Sequence, residues 1–479
     1  MDARPEGPAR MRCAARWPAC FRVPLLVALV AASGLAGCGS HALDLARVRE
    51  ELVAGNLEAA ADELDKRDGG DKDLLSLLER AHMHHLTGDW AESNRLFEAA
   101  EERADELYTR SISRNAASIA TSDNILPYRG TGYELELVHY YRAFNYLALG
   151  QPDGALVEAR KASELLARQA PENPDDDSAA AAEQRGFMNY VMGLLFAAYG
   201  ETNDAIVSLR NAYQLYVRAA GGRHEGAPPG LVAAYHAAAS HLGLGEEVVA
   251  LERHHPELAA REERAPADVA VFFETGFAPY REPVDIFLPI FEDDDDDDEA
   301  WVRAPHYVDR YRSSIYSYTH RPRHLDRVLR FSFPRLVDVP SSSGGCELEL
   351  PDGRIVPAST VLDLQAVAHD AFKDALPGIL LRTVVRAITK EVARSRVRKE
   401  NEVLGVLVNA VNVATEQADT RCWLLLPRRI ALAEVDLPGG IESVVARCRD
   451  RGGTVLDEWS VPVGTGSGRT RFETLRSFH

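Results

Sequence analysis

"TGDWAESNRLFEAA", residues 87 to 100, decides how the first half of this chain folds. Its Gly88-Asp89 pair recurs as Gly55-Asn56, Gly150-Gln151 and Gly200-Glu201. Five residues after each glycine stand Ala60, Ser93, Ala155 and Ala205; nine after, Leu64, Phe97, Ala159 and Leu209; twelve after, Arg67, Ala100, Ala162 and Ala212. Small, large and small side chains at that spacing share one face of a helix. Seven residues before the later glycines come Ala81, Ala143 and Gly193, and four before come His84, Tyr146 and Phe196, which supply the facing helix. The glycine itself ends the first helix in a left-handed cap and turns the chain.

Working outward, the stretch from Ala42 to about Leu251 reads helical almost throughout, with a weaker fifth unit near Gly243. The pattern resembles the tetratricopeptide repeat (TPR), two antiparallel helices of about 34 residues whose small side chains let the helices cross closely. Only the interval from Gly55 to Gly88 has that period; the later ones hold insertions, one of them the helix-breaking "APENPDDDSA" at 170 to 179. The resemblance implies a solenoid with a concave surface for peptides or partner helices. Within "AHMHH", residues 81 to 85, His82 and His85 stand one turn apart, yet no carboxylate or cysteine completes a site nearby in sequence. No metal and no cofactor are expected.

After "ERAPADVA", residues 263 to 270, the texture changes. "VAVFFETG", "PVDIFLPI", "RVLRFSF" and "CELELPDGRIV" read as strands, the last a hairpin around Asp352-Gly353, and residues 428 to 474 continue in the same way. Between these blocks the sequence predicts one helix over Leu362 to Ala375, a second opened by Pro377, and a third at 401 to 417. The expected fold class is therefore α+β: a TPR-like solenoid at 38 to 262, then a β-rich domain at 263 to 479 carrying a helical insertion at about 360 to 418.

The formal charge of −19 works against a nucleic-acid partner. The first 37 residues run from five arginines through "VPLLVALVAA" to small side chains, the order of a secretory signal peptide, with Met11 as an alternative start. Its apolar run is too short for the roughly 20 residues of a membrane span. "LAGC", residues 35 to 38, resembles the lipobox of bacterial lipoproteins, which implies a diacylglycerol on the Cys38 thiol and cleavage before it. Gly39 after that cysteine is similar to lipoproteins sorted to the outer membrane. Of the remaining Cys346, Cys422 and Cys448, a bridge from 422 to 448 is open, and independently buried thiols are expected.

Three features of the second half invite functional readings. "EDDDDDDE", residues 292 to 299, repels itself and reads as a solvated loop, lacking the glycine turn of a calcium site. Arg382, Arg386, Lys390, Arg394 and Arg398 follow one another at four-residue spacing, so neighbours repel on the helix surface. They call for counter-charge, supplied internally or by an anionic envelope polymer, lipid headgroup or acidic partner. In "TEQADTRCWLLLP", residues 415 to 427, Glu416, Asp419 and Arg421 form a polar junction with Trp423 filling the space beneath. An enzymatic reading of that junction lacks a histidine near Cys422. "GTGSG", residues 464 to 468, reads as a hairpin loop.

"NILPYRGTGYELELVHYYRAFNYLALG" at 124 to 150, "FETGFAP" at 273 to 279 and "TEQADTRCWLLLP" are together similar to an uncharacterised family of Gram-negative bacterial lipoproteins with N-terminal TPR-like repeats. That resemblance covers most of the mature chain, although the acidic run is not a feature of the family. It implies the periplasmic face of the outer membrane, no established enzymatic activity, and a place beside lipoproteins of peptidoglycan synthesis. The expected function is a lipid-anchored periplasmic scaffold binding envelope proteins. The alternative is an envelope or cell-wall enzyme acting around Glu416, Asp419 and Arg421.

Overall fold

The computed structural model describes residues 45–66, 73–112, 126–171, 178–260, 267–291, 325–400, 417–437, 441–463 and 470–479. The leader with Cys38, the acidic run, Glu416, the loop at 464 to 468 and residues 401–416 of the expected third helix lie outside them, as do the side chains of Arg394 and Arg398.

Among the described residues the helical repeats expected from the sequence are present as five pairs: α1 (Ala46–Val53) with α2 (Leu57–Asp65), α3 (Leu74–Leu86) with α4 (Trp90–Ile112), α5 (Gly132–Ala148) with α6 (Pro152–Gln169), α7 (Ala179–Ala198) with α8 (Thr202–Ala219), and α9 (Pro229–His241) with α10 (Gly245–His254). Every pair turns on a glycine in the left-handed region, Gly55, Gly88, Gly150, Gly200 and Gly243 having φ of +79°, +81°, +70°, +83° and +69°. The residue after the glycine then donates its N–H to a carbonyl five positions back, as from Asp89 to His84 (2.9 Å) and Gln151 to Tyr146 (2.8 Å). A side chain at such a φ costs about 1 kcal/mol, which is why the recurrent residue is glycine.

Small residues mark the crossings. Ala60, Ser93, Ala155 and Ala205 are fully buried, and the Ser93 hydroxyl donates to the Ala81 carbonyl of the facing helix at 2.7 Å. A Cβ on Gly193 would stand 2.7 Å from the Leu209 side chain, so α7 and α8 meet closely only because nothing projects there.

Strand β1 (Val269–Thr275) lies between β10 (Arg471–Ser477), to which it is parallel, and β7 (Arg429–Val435), to which it is antiparallel; β7 also pairs with β6 (Ser359–Asp363). A second sheet has the order β5-β4-β8-β9, from β5 (Ile355–Pro357), β4 (Ser343–Glu349), β8 (Ser443–Asp450) and β9 (Val455–Pro462). β2 (Tyr280–Phe291) and β3 (Leu325–Val337) form a ribbon. All of β1 is buried, because alternate residues serve two cores. Ala270 and Phe272 join the helices, while Val269, Val271 and Phe273 join the second sheet. The change of texture near residue 263 thus falls inside one packed body, with helices, sheet and sheet in layers.

Two expectations are corrected. Leu362 belongs to β6, and a single helix, α11 (Leu364–Glu400), runs through Pro377 where the sequence predicts one helix ending and another beginning. That proline forfeits one intrahelical bond without ending the helix. Cys346 and Cys448 form a disulfide, standing opposite each other on β4 and β8. Cys422 is the buried free thiol, in the core shared with the helices. Pairing was hidden in the sequence because strand register, not proximity along the chain, brings the two sulfurs together. Among the described residues no helix is long and apolar enough to cross a membrane. The described stretches 286–291, 325–331 and 387–400 belong to a second compact unit, in which Arg330 lies 5.8 Å over the Phe287 ring.

Candidate functional site

The first helices of successive pairs turn inner side chains toward other parts of this chain, α5 and α7 toward its strands and α3 toward the segment that leads into β7. Tyr140 and Phe144 on α5 meet Phe272 of β1 edge to face at 6.1 and 5.1 Å. Glu183 on α7 accepts the Asp363 N–H (2.8 Å), and Tyr216 on α8 donates to the Val361 carbonyl (2.5 Å), both on edge strand β6. The segment between α11 and β7 is held in the same way. Glu79 on α3 accepts the Leu424 N–H at 2.8 Å, and Glu134 on α5 accepts the Trp423 N–H at 2.9 Å. The surface that the TPR resemblance offers to partners is therefore occupied, over these helices, by residues of the same chain.

This is where the predicted polar junction lies. Asp419 and Arg421 form an ion pair at 2.8 Å, each about three-quarters buried, and Arg421 also donates to the Leu126 carbonyl at 2.9 Å and lies 5.7 Å over the Tyr128 ring. Trp423 is 1% exposed, packed against Phe97, Tyr141 and His82. Burial pushes the Cys422 thiol up to about 12, so it is not a thiolate at neutral pH. Glu134, which holds the Trp423 N–H beside this pair, was not legible as a site residue in the sequence. Its signal was present as the Thr131-x-x-Glu134 spacing of a capping box at the start of α5, where Glu134 accepts from the Thr131 N–H (2.6 Å) and the Tyr128 hydroxyl (2.5 Å).

His82 and His85 are both buried. The His85 ring bonds to the Asn145 amide at 2.6 Å, and burial holds its imidazolium down to about 4. One cluster among the described residues has metal-ligand spacing, Glu101, His139 and Glu158, whose ligand atoms lie within 4.8 Å of one another. Two cations already sit in it. Arg142 reaches Glu101 at 2.5 Å and Glu158 at 3.2 Å, and Lys161 reaches Glu101 at 3.0 Å. A metal ion would have to displace both, so the cluster reads as a salt network joining α4, α5 and α6.

The cationic row of α11 is not one exposed stripe. Arg382 faces solvent, but Arg386 is 1% exposed and Lys390 is half-buried, and each has an interaction within the chain. Leu381, Val384 and Ile388 take the exposed side instead. The row was legible as repulsion, and burial of Arg386 was not.

Two grooves open where repeats and strands meet. The larger, about 560 Å³, lies between α7, α8 and α9 on one side and β5, β6 and β7 on the other. Ala233, Ala234 and Ala237 clear its wall. At its floor the Tyr190 hydroxyl donates to Glu434 at 2.6 Å. Gly230 makes room for that carboxylate, since a Cβ there would lie 1.8 Å from it. The smaller, about 440 Å³, follows β10 along its outer edge, against the corners of the repeat pairs. At its floor Glu274 is buried, which raises its carboxyl above the ordinary carboxylate range.

No protein-family model and no curated protein matches the chain. Among solved structures it is similar to a chain described as a Podosopora anserina kinesin light chain with nearly identical TPR-like repeats, at 14% identity and a TM-score of 0.30, over 45% of this chain and 93% of that one. A substituted form of the same protein gives a TM-score of 0.29 at the same identity and coverage. A likeness so distant carries no argument; the class of the first half, a TPR-like helical-repeat fold, rests on the five glycine-closed pairs.

Proposed function

We propose that the protein is a non-catalytic interaction scaffold of the bacterial cell envelope, lipid-anchored through Cys38 at the periplasmic face of the outer membrane and binding envelope proteins. The groove of about 560 Å³ carries the scaffold reading. Among its lining residues the one carboxylate, Glu434, is already bonded to Tyr190, and the walls are mainly alanine, proline, leucine and valine, with Thr202, His241, Ser359 and Thr470 among them. Such a surface takes an apolar side chain from a protein partner. The buried disulfide supports an oxidising compartment, and the "LAGC" resemblance supports the anchor. Pairing of Asp419 with Arg421, and burial of Arg386, leave the enzymatic and anionic-polymer readings without a supporting observation.

A photo-crosslinking amino acid in place of Ala237, in intact cells, tests the scaffold. Adducts with defined envelope proteins are expected, and their absence at that position and along the whole groove would sink it. For the anchor, Cys38→Ala is expected to lose palmitate labelling and membrane partitioning; unchanged behaviour would remove the envelope attachment.

A further inference from the structure

We infer that strand β10 accepts an extended segment of a partner protein, which adds to the sheet as a further strand. This rests on the scaffold reading and names the form the partner takes.

Among the described residues β10 is an edge strand and pairs only with β1. Its ladder bonds show which way each residue faces: the Arg471 N–H donates to the Asp268 carbonyl at 2.8 Å, and the Ser477 carbonyl accepts from Gly276 at 2.9 Å. Alternate residues of a parallel strand bond to the same neighbour. Arg471, Glu473, Leu475 and Ser477 therefore face β1, while Phe472, Thr474 and Arg476 direct their backbone N–H and C=O groups outward. No described residue bonds to those outward groups.

Proteins ordinarily cover or blunt such an edge, because it is a template for another strand. Here it opens into the groove of about 440 Å³. The far wall is built from the repeat corners: Leu57, Leu86, Trp90, Leu147 and Tyr199 flank the turns at Gly55, Gly88, Gly150 and Gly200. A wall facing the edge leaves room for one chain and obstructs a second sheet, which separates recognition from edge-to-edge aggregation. Seven residues of β10 offer about 23 Å of pairing length.

The floor narrows the chemistry. Among the described residues Glu274, 1% exposed, has Oε1 without a hydrogen-bond partner, and Arg476, beside it in register, has Nε and Nη1 without one. Acceptor and donors of opposite charge side by side suit an uncharged amide. The segment is thus an extended peptide with apolar side chains toward the repeat corners and an asparagine or glutamine toward the floor. Backbone pairing supplies affinity and the alternate side chains supply selectivity.

The test uses the mature chain and a displayed library of random twelve-residue peptides. Selected peptides are expected to slow amide hydrogen exchange at Phe472, Thr474 and Arg476 at least tenfold, with Arg471, Glu473 and Leu475 slow before and after. Thr474→Pro removes an outward N–H and leaves the β1 ladder intact, so binding should fall at least tenfold. N-methylation of the peptide should weaken binding at every second residue only, a readout that needs no protein variant. Failure to select any peptide, bound peptide without protection of the three amides, or N-methylation without alternation would each overturn the inference. Crosslinking from Ala237 in the other groove would persist in that case, so the scaffold reading stands or falls separately.

Discussion

Glu134 accepts the backbone N–H of Trp423 at 2.9 Å across 289 positions of sequence, and the same carboxylate closes the N-terminus of its own helix. One side chain thereby ties the start of α5 to the segment that leads into β7. Helix start and that segment are thus coupled in folding.

Replacing Glu134 by glutamine should be costly. Its two oxygens accept from Trp423, Tyr128 and Thr131, and an amide NH₂ would set donor against donor in a buried site. A loss of about 2–4 kcal/mol is expected in denaturant unfolding, and a loss below about 0.5 kcal/mol would show that the segment is held by packing alone.

The disulfide should resist labelling. Alkylation in denaturant without reductant is expected to modify Cys422 and spare Cys346 and Cys448, and reductant should expose all three. Cys448→Ser should destabilise by about 2–5 kcal/mol, read from the unfolding midpoint of the oxidised protein.

Glycines at different places should differ in cause. Gly193→Ala puts a Cβ 2.7 Å from Leu209 and forces α7 from α8, with an expected loss of about 1–3 kcal/mol. Gly150→Ala meets nothing within 4 Å, and its cost of about 1 kcal/mol comes from φ alone. Combined with Leu209→Ala, the first variant should recover part of its loss relative to Leu209→Ala alone, and the second should not.

Stability should fall as pH rises from about 4.5 to about 7 through one residue on α5. Burial holds the Glu136 carboxyl up to about 7 against an ordinary 4.5, with the Gln184 amide as its partner at 3.2 Å. In that window the folded state binds the proton and the unfolded state has released it, so the slope is negative, with a total on the order of 3 kcal/mol. Glu136→Gln should flatten that contribution, measured as the difference in unfolding free energy between pH 5 and pH 8 for variant and wild type.

Much of the candidate site was legible in the sequence without its geometry. The glycine anchors and the small residues after them located the repeat corners, since left-handed turns and close helix crossings each exclude most side chains. Trp423 and the Asp419–Arg421 pair were visible as oppositely charged residues next to a tryptophan in one short segment. Glu79, Glu274 and Glu434 were not, because a carboxylate on a buried face looks like any other acid until the donor facing it is known. Burial of Arg386 was hidden for the same reason: periodicity places charges on one helix face, and only the surroundings decide whether that face is wet.

Local physics therefore wrote the elements into the chain: turns at glycines, helices by small and large spacing, strands by β-branched runs. Which surfaces remain open was decided by the tertiary structure. A strand edge is accessible or covered according to residues hundreds of positions away, and the inner face of α3, α5 and α7 is filled by strands and by the segment before β7, whose approach no local pattern encodes.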